Sequence, residues 1–162
     1  MYESLPWSGA WAWSLPLIVL NVVLHVLGLG FINAKVVQSL TGFRDRRNYL
    51  PIFVLVIGVT VLLATLLHGL EASIWAAAYR LLGALPDNKT AMLYSLSAIT
   101  SYGHAELYLQ GRWQLMGALE ALNGMLLFSL TTAFLYGIIQ RVWPVENRSL
   151  HWRHQTKKEA SG

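Results

Sequence analysis

Apolar residues dominate three long stretches of this 162-residue chain. The first covers residues 13–37, the second begins at residue 50 and continues to residue 85, and the third covers residues 113–143. A helix needs about 20 apolar residues to cross a hydrocarbon core of roughly 30 Å. The pattern therefore predicts three transmembrane helices. The second is longer than the core it crosses, so it must tilt, kink near Gly69 or project beyond the bilayer.

A segment too short to span lies between the second and third stretches. Pro86 interrupts the second helix, and Asp87 or Asn88 is a suitable N-cap for a short helix that continues to about Ile99. A polar stretch follows. Irregular backbone at membrane depth is tolerated only where protein buries it or where it lines a watery cavity. The predicted fold is an all-α membrane protein with three transmembrane helices, a re-entrant helix and a polar loop.

The composition agrees with a membrane protein. The chain is 55% hydrophobic and 12% charged, whereas soluble domains are about 25% charged. There is no Cys, which excludes a disulfide, a thiolate metal site and a Cys nucleophile. The sequence contains no Walker loop, no His-Glu-x-x-His motif and no nucleophile elbow. We therefore expect no enzymatic activity and no resident cofactor or metal.

Basic residues predict the orientation. The net charge is only +4, and short basic stretches beside apolar helices indicate topology rather than nucleic-acid binding. The expected location is the cell inner (plasma) membrane, and the positive-inside rule places the first loop and the C-terminus on its cytoplasmic side. The N-terminus and the re-entrant segment then face outside. The N-terminus has no basic n-region, so the first helix is expected to be retained. The basic residues in question are Arg44, Arg46, Arg47, Arg141, Arg148, Arg153, Lys157 and Lys158.

Two pairs of polar residues are candidate sites. Asn21 and His25 are four apart and share one face of the first helix. We expect this face to bond across to neighbouring helices, with an ion-pathway or ligand role as the alternative. His151 and His154 form a possible metal pair, but two ligands on a tail favour a solvated basic segment.

Glu71 and Glu120 are carboxylates at or near membrane depth, where such residues usually face protein or water. We expect both to support the polar loop rather than to bind an ion. Glu120 is placed to act from behind the loop. Glu71 is expected to pair with Arg80, Arg112 or a donor on the short helix.

The order of a span, a short re-entrant helix, a polar segment and a second span resembles the pore module of potassium channels. The chain is similar to the two-transmembrane ion-channel family in a bacterial-type version with one extra N-terminal helix. The resemblance covers residues 50–143 and includes three sequence stretches, which are His68-Gly-Leu-Glu71 with Trp75, Ala91-Met-Leu-Tyr-Ser-Leu-Ser, and Leu119-Glu-Ala-Leu-Asn-Gly-Met-Leu-Leu-Phe. It implies a first helix with a basic loop at residues 1–49, a pore domain at residues 50–144 and a basic cytoplasmic tail at residues 145–162.

The resemblance places an ion-selectivity filter in the polar loop. The family filter reads Thr-Val-Gly-Tyr-Gly-Asp, and its backbone carbonyls replace the hydration shell of the ion. Gly103 keeps one glycine with left-handed backbone angles, whereas Ala105 would adopt positive φ at a cost of about 1–2 kcal/mol. The filter residues implied here are Thr100, Ser101, Tyr102, Gly103, His104, Ala105 and Glu106.

Two filter positions carry titratable side chains. His104 stands where the family has Tyr; a protonated ring beside the path would repel cations and let external acid gate the pore. The alternative is that His104 packs behind the filter, as the Tyr does. Glu106 keeps an acidic mouth that concentrates cations, or it is a solvated or helix-capping carboxylate.

In the last helix the resemblance implies a hinge at Gly124. Gly in a helix interior independently marks bending or close packing. The cavity-lining positions of the family fall on Met125, Phe128 and Thr132, which share one face. The alternative for at least one of them is ordinary helix packing. Phe128 and Tyr136 are also candidates for a hydrophobic gate.

One pore loop cannot close a pore, so cyclic assembly is required, and the resemblance implies a homotetramer in the lipid bilayer. The predicted function is a potassium-channel-like channel with potassium or another monovalent cation as the permeant ion and with relaxed potassium selectivity. The alternative is a non-conducting structural or regulatory membrane protein that retains the channel fold. Nucleic acid is not an expected partner.

Overall fold

All regular secondary structure in the described part of the chain is helical. A computed structural model describes residues 7–41, 49–103, 107–109 and 111–142. It contains no strand among these residues. The elements are α1 (Trp7–Thr41), α2 (Tyr49–Leu81), α3 (Asn88–Ile99), a short 3-10 turn (Gly111–Trp113) and α4 (Gln114–Val142).

Three of these helices are long and apolar enough to cross a membrane. The apolar stretches are Ser8–Val36, Pro51–Leu81 and Gly111–Gln140, so the prediction of three transmembrane helices is confirmed at this level. Large apolar side chains such as Phe31, Leu55 and Leu62 are exposed on their outer faces, as contact with lipid requires. The chain is a multi-pass membrane protein.

The three long helices alternate in direction. At one end Ile32 of α1 packs near Ile138 of α4, and at the other end Leu17 of α1 packs against the apolar cluster that contains Met116 of α4. The helices α1 and α4 are therefore parallel. The C-terminal part of α2, with Trp75, joins the same cluster as Leu17, so α2 runs opposite to both.

The helix α2 ends at Leu81, earlier than the predicted break at Pro86. Gly83 has a left-handed φ of 64° and donates its N–H to the carbonyl of Arg80 at 3.1 Å, while Ala84 donates to Tyr79 at 2.9 Å. This pair of bonds is a Schellman motif, which closes a helix through a glycine just beyond its end. The sequence prediction missed the stop because it gave weight to the proline and not to the glycine.

The turn after α2 is fixed by Arg80. Its Nε donates to Oδ1 of Asn88 at 3.0 Å, and its Nη1 donates to the carbonyl of Leu85 at 2.7 Å. These bonds join the end of α2 to the start of α3. They orient α3 back towards the other helices.

The short helix α3 starts where the sequence predicts. Asp87 is the N-cap, with Oδ1 accepting from the Thr90 N–H at 2.9 Å and Oδ2 accepting from the Thr90 hydroxyl at 2.7 Å. These bonds hold the pKa of Asp87 below its usual value, with the hydroxyl of Thr90 as the largest cause. The carboxylate therefore stays ionised at neutral pH. From this cap α3 packs between α2 and α4.

Gly83→Ala tests the closure of α2. A methyl group at φ 64° is strained, so the free energy of unfolding should fall by about 1–2 kcal/mol. Thermal unfolding in detergent, followed by circular dichroism, measures the loss. Gly58→Ala is the matched control, because Gly58 is helical and a Cβ there meets no heavy atom within 4 Å in the described structure. Equal unfolding midpoints for the two variants would contradict the role of Gly83.

Candidate functional site

Two glycines on α4 let α3 approach it closely. A Cβ on Gly124 would lie 2.0 Å from the carbonyl oxygen of Ile99, and one on Gly117 would lie 2.1 Å from Oη of Tyr94. Gly124 lies near the middle of the apolar stretch Gly111–Gln140. The last turn of α3 therefore meets α4 about halfway along its apolar length. The predicted hinge residue Gly124 is a close-packing position inside a continuous helix.

A buried carboxylate joins α3 to both neighbouring helices. Tyr79 of α2 donates its hydroxyl to Oε2 of Glu120 at 2.7 Å. Ser95 of α3 contacts the other carboxylate oxygen and lies 2.7 Å from the carbonyl oxygen of Ala72. Tyr79, Ser95 and Glu120 are all fully buried. Glu120 thus lies behind α3, and its bonds anchor this helix at a fixed depth and rotation.

The chain leaves α3 through a second Schellman motif. Ser101 donates its N–H to the carbonyl of Ala98 at 2.9 Å, and Tyr102 donates to Ser97 at 2.9 Å. Ser101 has φ 55° and Gly103 has φ 70°. The angle of Gly103 lies in the left-handed region that favours glycine. Ser101 occupies a position that usually takes glycine, at a cost of about 1–2 kcal/mol.

The remaining loop positions are only partly described. Thr100 is the C-cap of α3, and residues 100–103 are exposed in the single chain. Tyr102 is 81% exposed. His104, Ala105 and Glu106 lie outside the described residues.

The predicted cavity positions share an exposed face of α4. Met125, Phe128 and Thr132 are exposed, in contrast to the buried Gly124. Ser129 and Tyr136 are exposed on the same side of the helix. The hydroxyl of Ser129 donates to the backbone carbonyl of Met125, and the hydroxyl of Thr132 donates to that of Phe128, each at 2.8 Å. This face of α4 therefore carries polar groups within a span.

A second buried polar group connects the three long helices. His25 Nδ1 lies 2.8 Å from Oε1 of Glu71, and His68 Nδ1 lies 3.2 Å from Oε2 of the same carboxylate. On their far sides, His25 Nε2 and His68 Nε2 lie 3.0 and 3.1 Å from the hydroxyl of Thr131. All four residues are buried. We call this group the histidine–carboxylate cluster.

The cluster corrects one prediction. Among the described residues Glu71 pairs with His25 and His68, and not with Arg80, Arg112 or a donor on α3. Arg80 bonds within the turn that follows α2, and the guanidinium of Arg112 lies 5.4 Å from the ring centroid of Trp113. Spacing along one helix gave no information about which groups of other helices would face Glu71.

The prediction that the polar face of α1 bonds to neighbouring helices is confirmed at His25, which contacts Glu71 of α2 and Thr131 of α4. Asn21 is fully buried, and its side-chain atoms have no hydrogen-bond partner among the described residues. The same holds for Asn123 of α4.

Sequence reasoning missed four members of these networks, namely His68, Tyr79, Ser95 and Thr131. His68 was recoverable, because it lies one turn before Glu71 on a span in which ionisable residues are rare. Tyr79, Ser95 and Thr131 are common residues in apolar helices. Only packing distinguishes them.

Comparison of the chain with protein-family models, with curated proteins and with solved structures gives no match. The geometry of the described residues is therefore the basis for assigning a function.

Gly124→Ala tests the approach of α3 to α4. The new methyl group would overlap the backbone of Ile99, so α3 must shift and the free energy of unfolding should fall by about 1–3 kcal/mol. Thermal unfolding in detergent measures this change. Gly137→Ala on the same helix is the control, because a Cβ there meets no heavy atom within 4 Å in the described structure. A Gly124→Ala protein as stable as the control would disprove the close contact.

Proposed function

We propose that the protein is a potassium-channel-like cation channel. In this proposal four copies surround an axis, and each contributes α3 as a pore helix and residues 100–106 as one strand of a non-standard filter. The permeant ion is potassium or another monovalent cation. The following observations support the proposal.

The observation that carries it is the depth that α3 reaches. A helix of 12 residues is about 18 Å long, roughly half of the hydrocarbon core. It begins just after α2 ends and finishes beside Gly124, near the middle of α4. The chain must then return to Gly111 at the start of that apolar stretch. A re-entrant loop at this depth needs protein or water around it, and an axial pore in an oligomer provides both.

The exposed face of α4 is the second support. Ser129, Thr132 and Tyr136 place hydroxyl groups on it. Exposed residues of α1 such as Val19, Val23 and Leu27 are apolar by contrast. The apolar surface of α1 is suited to contact with lipid. The polar face of α4 is suited to contact with water or with other copies, and Met125 and Phe128 on this face would line the proposed pore.

The loop residues favour weak discrimination between potassium and sodium. Gly103 has φ 70°, a left-handed angle with which a filter glycine can aim a carbonyl at the axis, and this supports a filter-like inner part. The outer carbonyls depend on His104 and Ala105, where the family has Tyr and Gly. Ala105 resists positive φ, and four subunits multiply that cost.

Glu71 and Glu120 support the filter in this proposal, without binding the permeant ion. Glu120 acts directly through its bonds to α3, and Glu71 acts by joining the long helices that hold α3. The protein lies in the cell inner (plasma) membrane in this proposal. The basic first loop and the basic tail face the cytoplasm, whereas the N-terminus and the polar loop after α3 face outside. Both basic segments lie outside the described residues.

A liposome flux assay tests the function. The purified protein should form tetramers and pass potassium and sodium at comparable rates. Gly103→Ala should abolish both fluxes, because a methyl group is strained at φ 70°. Gly69→Ala is the matched control, since Gly69 is helical and its Cβ position is open in the described structure.

Three results decide between the hypotheses. Strong preference for potassium in the natural protein would refute relaxed selectivity. A stable tetramer without flux in any condition would favour the alternative, a non-conducting structural or regulatory membrane protein that retains the channel fold. The presence of Tyr102 and Ala105 at filter positions supports that alternative. Flux that persists in Gly103→Ala would place the path elsewhere.

A further inference from the structure

The histidine–carboxylate cluster does not bind the permeant ion of the proposed pore, and it collects ionisable groups among the membrane-spanning helices. His25 is on α1, His68 and Glu71 are on α2, and Thr131 is on α4. The ring centroids of His25 and His68 are 5.1 Å apart. Burying such groups is costly unless they are paired. Their arrangement therefore calls for a specific partner.

One contact of the cluster is not a hydrogen bond. Its four contacts run from Glu71 to His25, from His25 to Thr131, from Thr131 to His68 and from His68 back to Glu71. Two neutral rings and one hydroxyl supply three hydrogens, which suffice for the first three contacts. The fourth contact leaves His68 Nδ1 and Glu71 Oε2 facing each other without a hydrogen bond.

The unbonded atoms lie beside the carboxylate. In the metal-free cluster the N–H of His25 Nδ1 donates to Glu71 Oε1 at 2.8 Å. A hydroxyl oxygen has two lone pairs, so Thr131 can instead accept an Nε2–H from each ring. When a metal replaces the hydrogen on Nδ1 of His25, both rings carry Nε2–H and both Nδ1 lone pairs face the ion. His68 Nδ1 and Glu71 Oε2 are buried without a hydrogen-bond partner among the described residues, although they lie only 3.2 Å apart. A proton between them lacks suitable hydrogen-bond geometry, whereas a metal ion binds converging lone pairs.

We propose that the cluster binds one divalent transition-metal ion of the zinc class, through Nδ1 of His25, Nδ1 of His68 and the carboxylate of Glu71. One ligand atom from each of these residues lies within 4.8 Å of the others. Tetrahedral zinc with bonds near 2.0–2.1 Å needs ligand atoms about 3.3 Å apart. Small side-chain movements suffice. Two imidazoles and one carboxylate suit zinc, cobalt or nickel better than magnesium or calcium, which prefer oxygen ligands.

Thr131 orients the ligands in this site. Its hydroxyl holds both Nε2–H groups, as an outer partner of a metal-bound histidine commonly does. Phe128 stacks on the ring of His68 with centroids 4.3 Å apart and further limits its rotation. The metal would fasten α1 to α2, while α4 sets the ring orientation.

Binding of Co²⁺ to the full chain tests the proposal. The protein is purified in detergent with a tag free of histidine, in a background of His151→Gln and His154→Gln that removes the tail histidines. Isothermal titration and visible absorption should show one Co²⁺ per chain in a low-symmetry, four-coordinate environment. Glu71→Gln and His68→Gln should abolish this binding. His104→Gln is the control and should bind normally.

Thr131→Val tests the metal site without changing a metal ligand, so it is informative even if Glu71→Gln or His68→Gln fails to fold. Loss of the outer partner should weaken Co²⁺ binding about 10–100-fold, whereas Thr132→Val on the exposed side should leave it unchanged. Equal affinity in these two variants would overturn the assignment. The absence of Co²⁺ and Zn²⁺ binding to the background protein would also overturn it.

Discussion

Glu120 holds the helix on which the rest of the arrangement depends. Glu120 belongs to α4. Its carboxylate accepts a hydrogen bond from the hydroxyl of Tyr79 on α2 and contacts Ser95 of α3. A buried carboxylate is expensive unless hydrogen bonds satisfy it, so this anchor tolerates only one placement of α3. The close contact between Ile99 and Gly124 then fixes where α3 ends. The position of the loop after α3 follows from these two constraints.

The two buried polar networks have different structural effects. The Glu120 network attaches a short helix to two long ones and sets its depth. The histidine–carboxylate cluster connects the long helices directly, through His25, Glu71 and Thr131. Because lipid provides little hydrophobic force between helices, polar contacts and close packing carry much of the association. The pore proposal depends on the first network, and the metal proposal depends on the second.

The sequence predicted the elements that local rules govern. Hydropathy gave the three spans, and Asp87 gave the start of α3 because capping depends on a few neighbouring residues. The end of α2 was misplaced because Gly83 closes the helix before Pro86 is reached. The partners of Glu71 were also missed, since they depend on how α1, α2 and α4 pack together. The filter assignment rested on resemblance, and His104, Ala105 and Glu106 lie outside the described residues.

Electron cryomicroscopy of the assembled protein in lipid nanodiscs would show whether α3 and the loop after it line a path shared by several copies. We expect a cyclic tetramer in which the carbonyls of residues 101–105 face the axis and Met125, Phe128 and Thr132 surround a cavity below them. An assembly in which these loops point away from the axis towards lipid, or in which α3 faces no other copy, would contradict it.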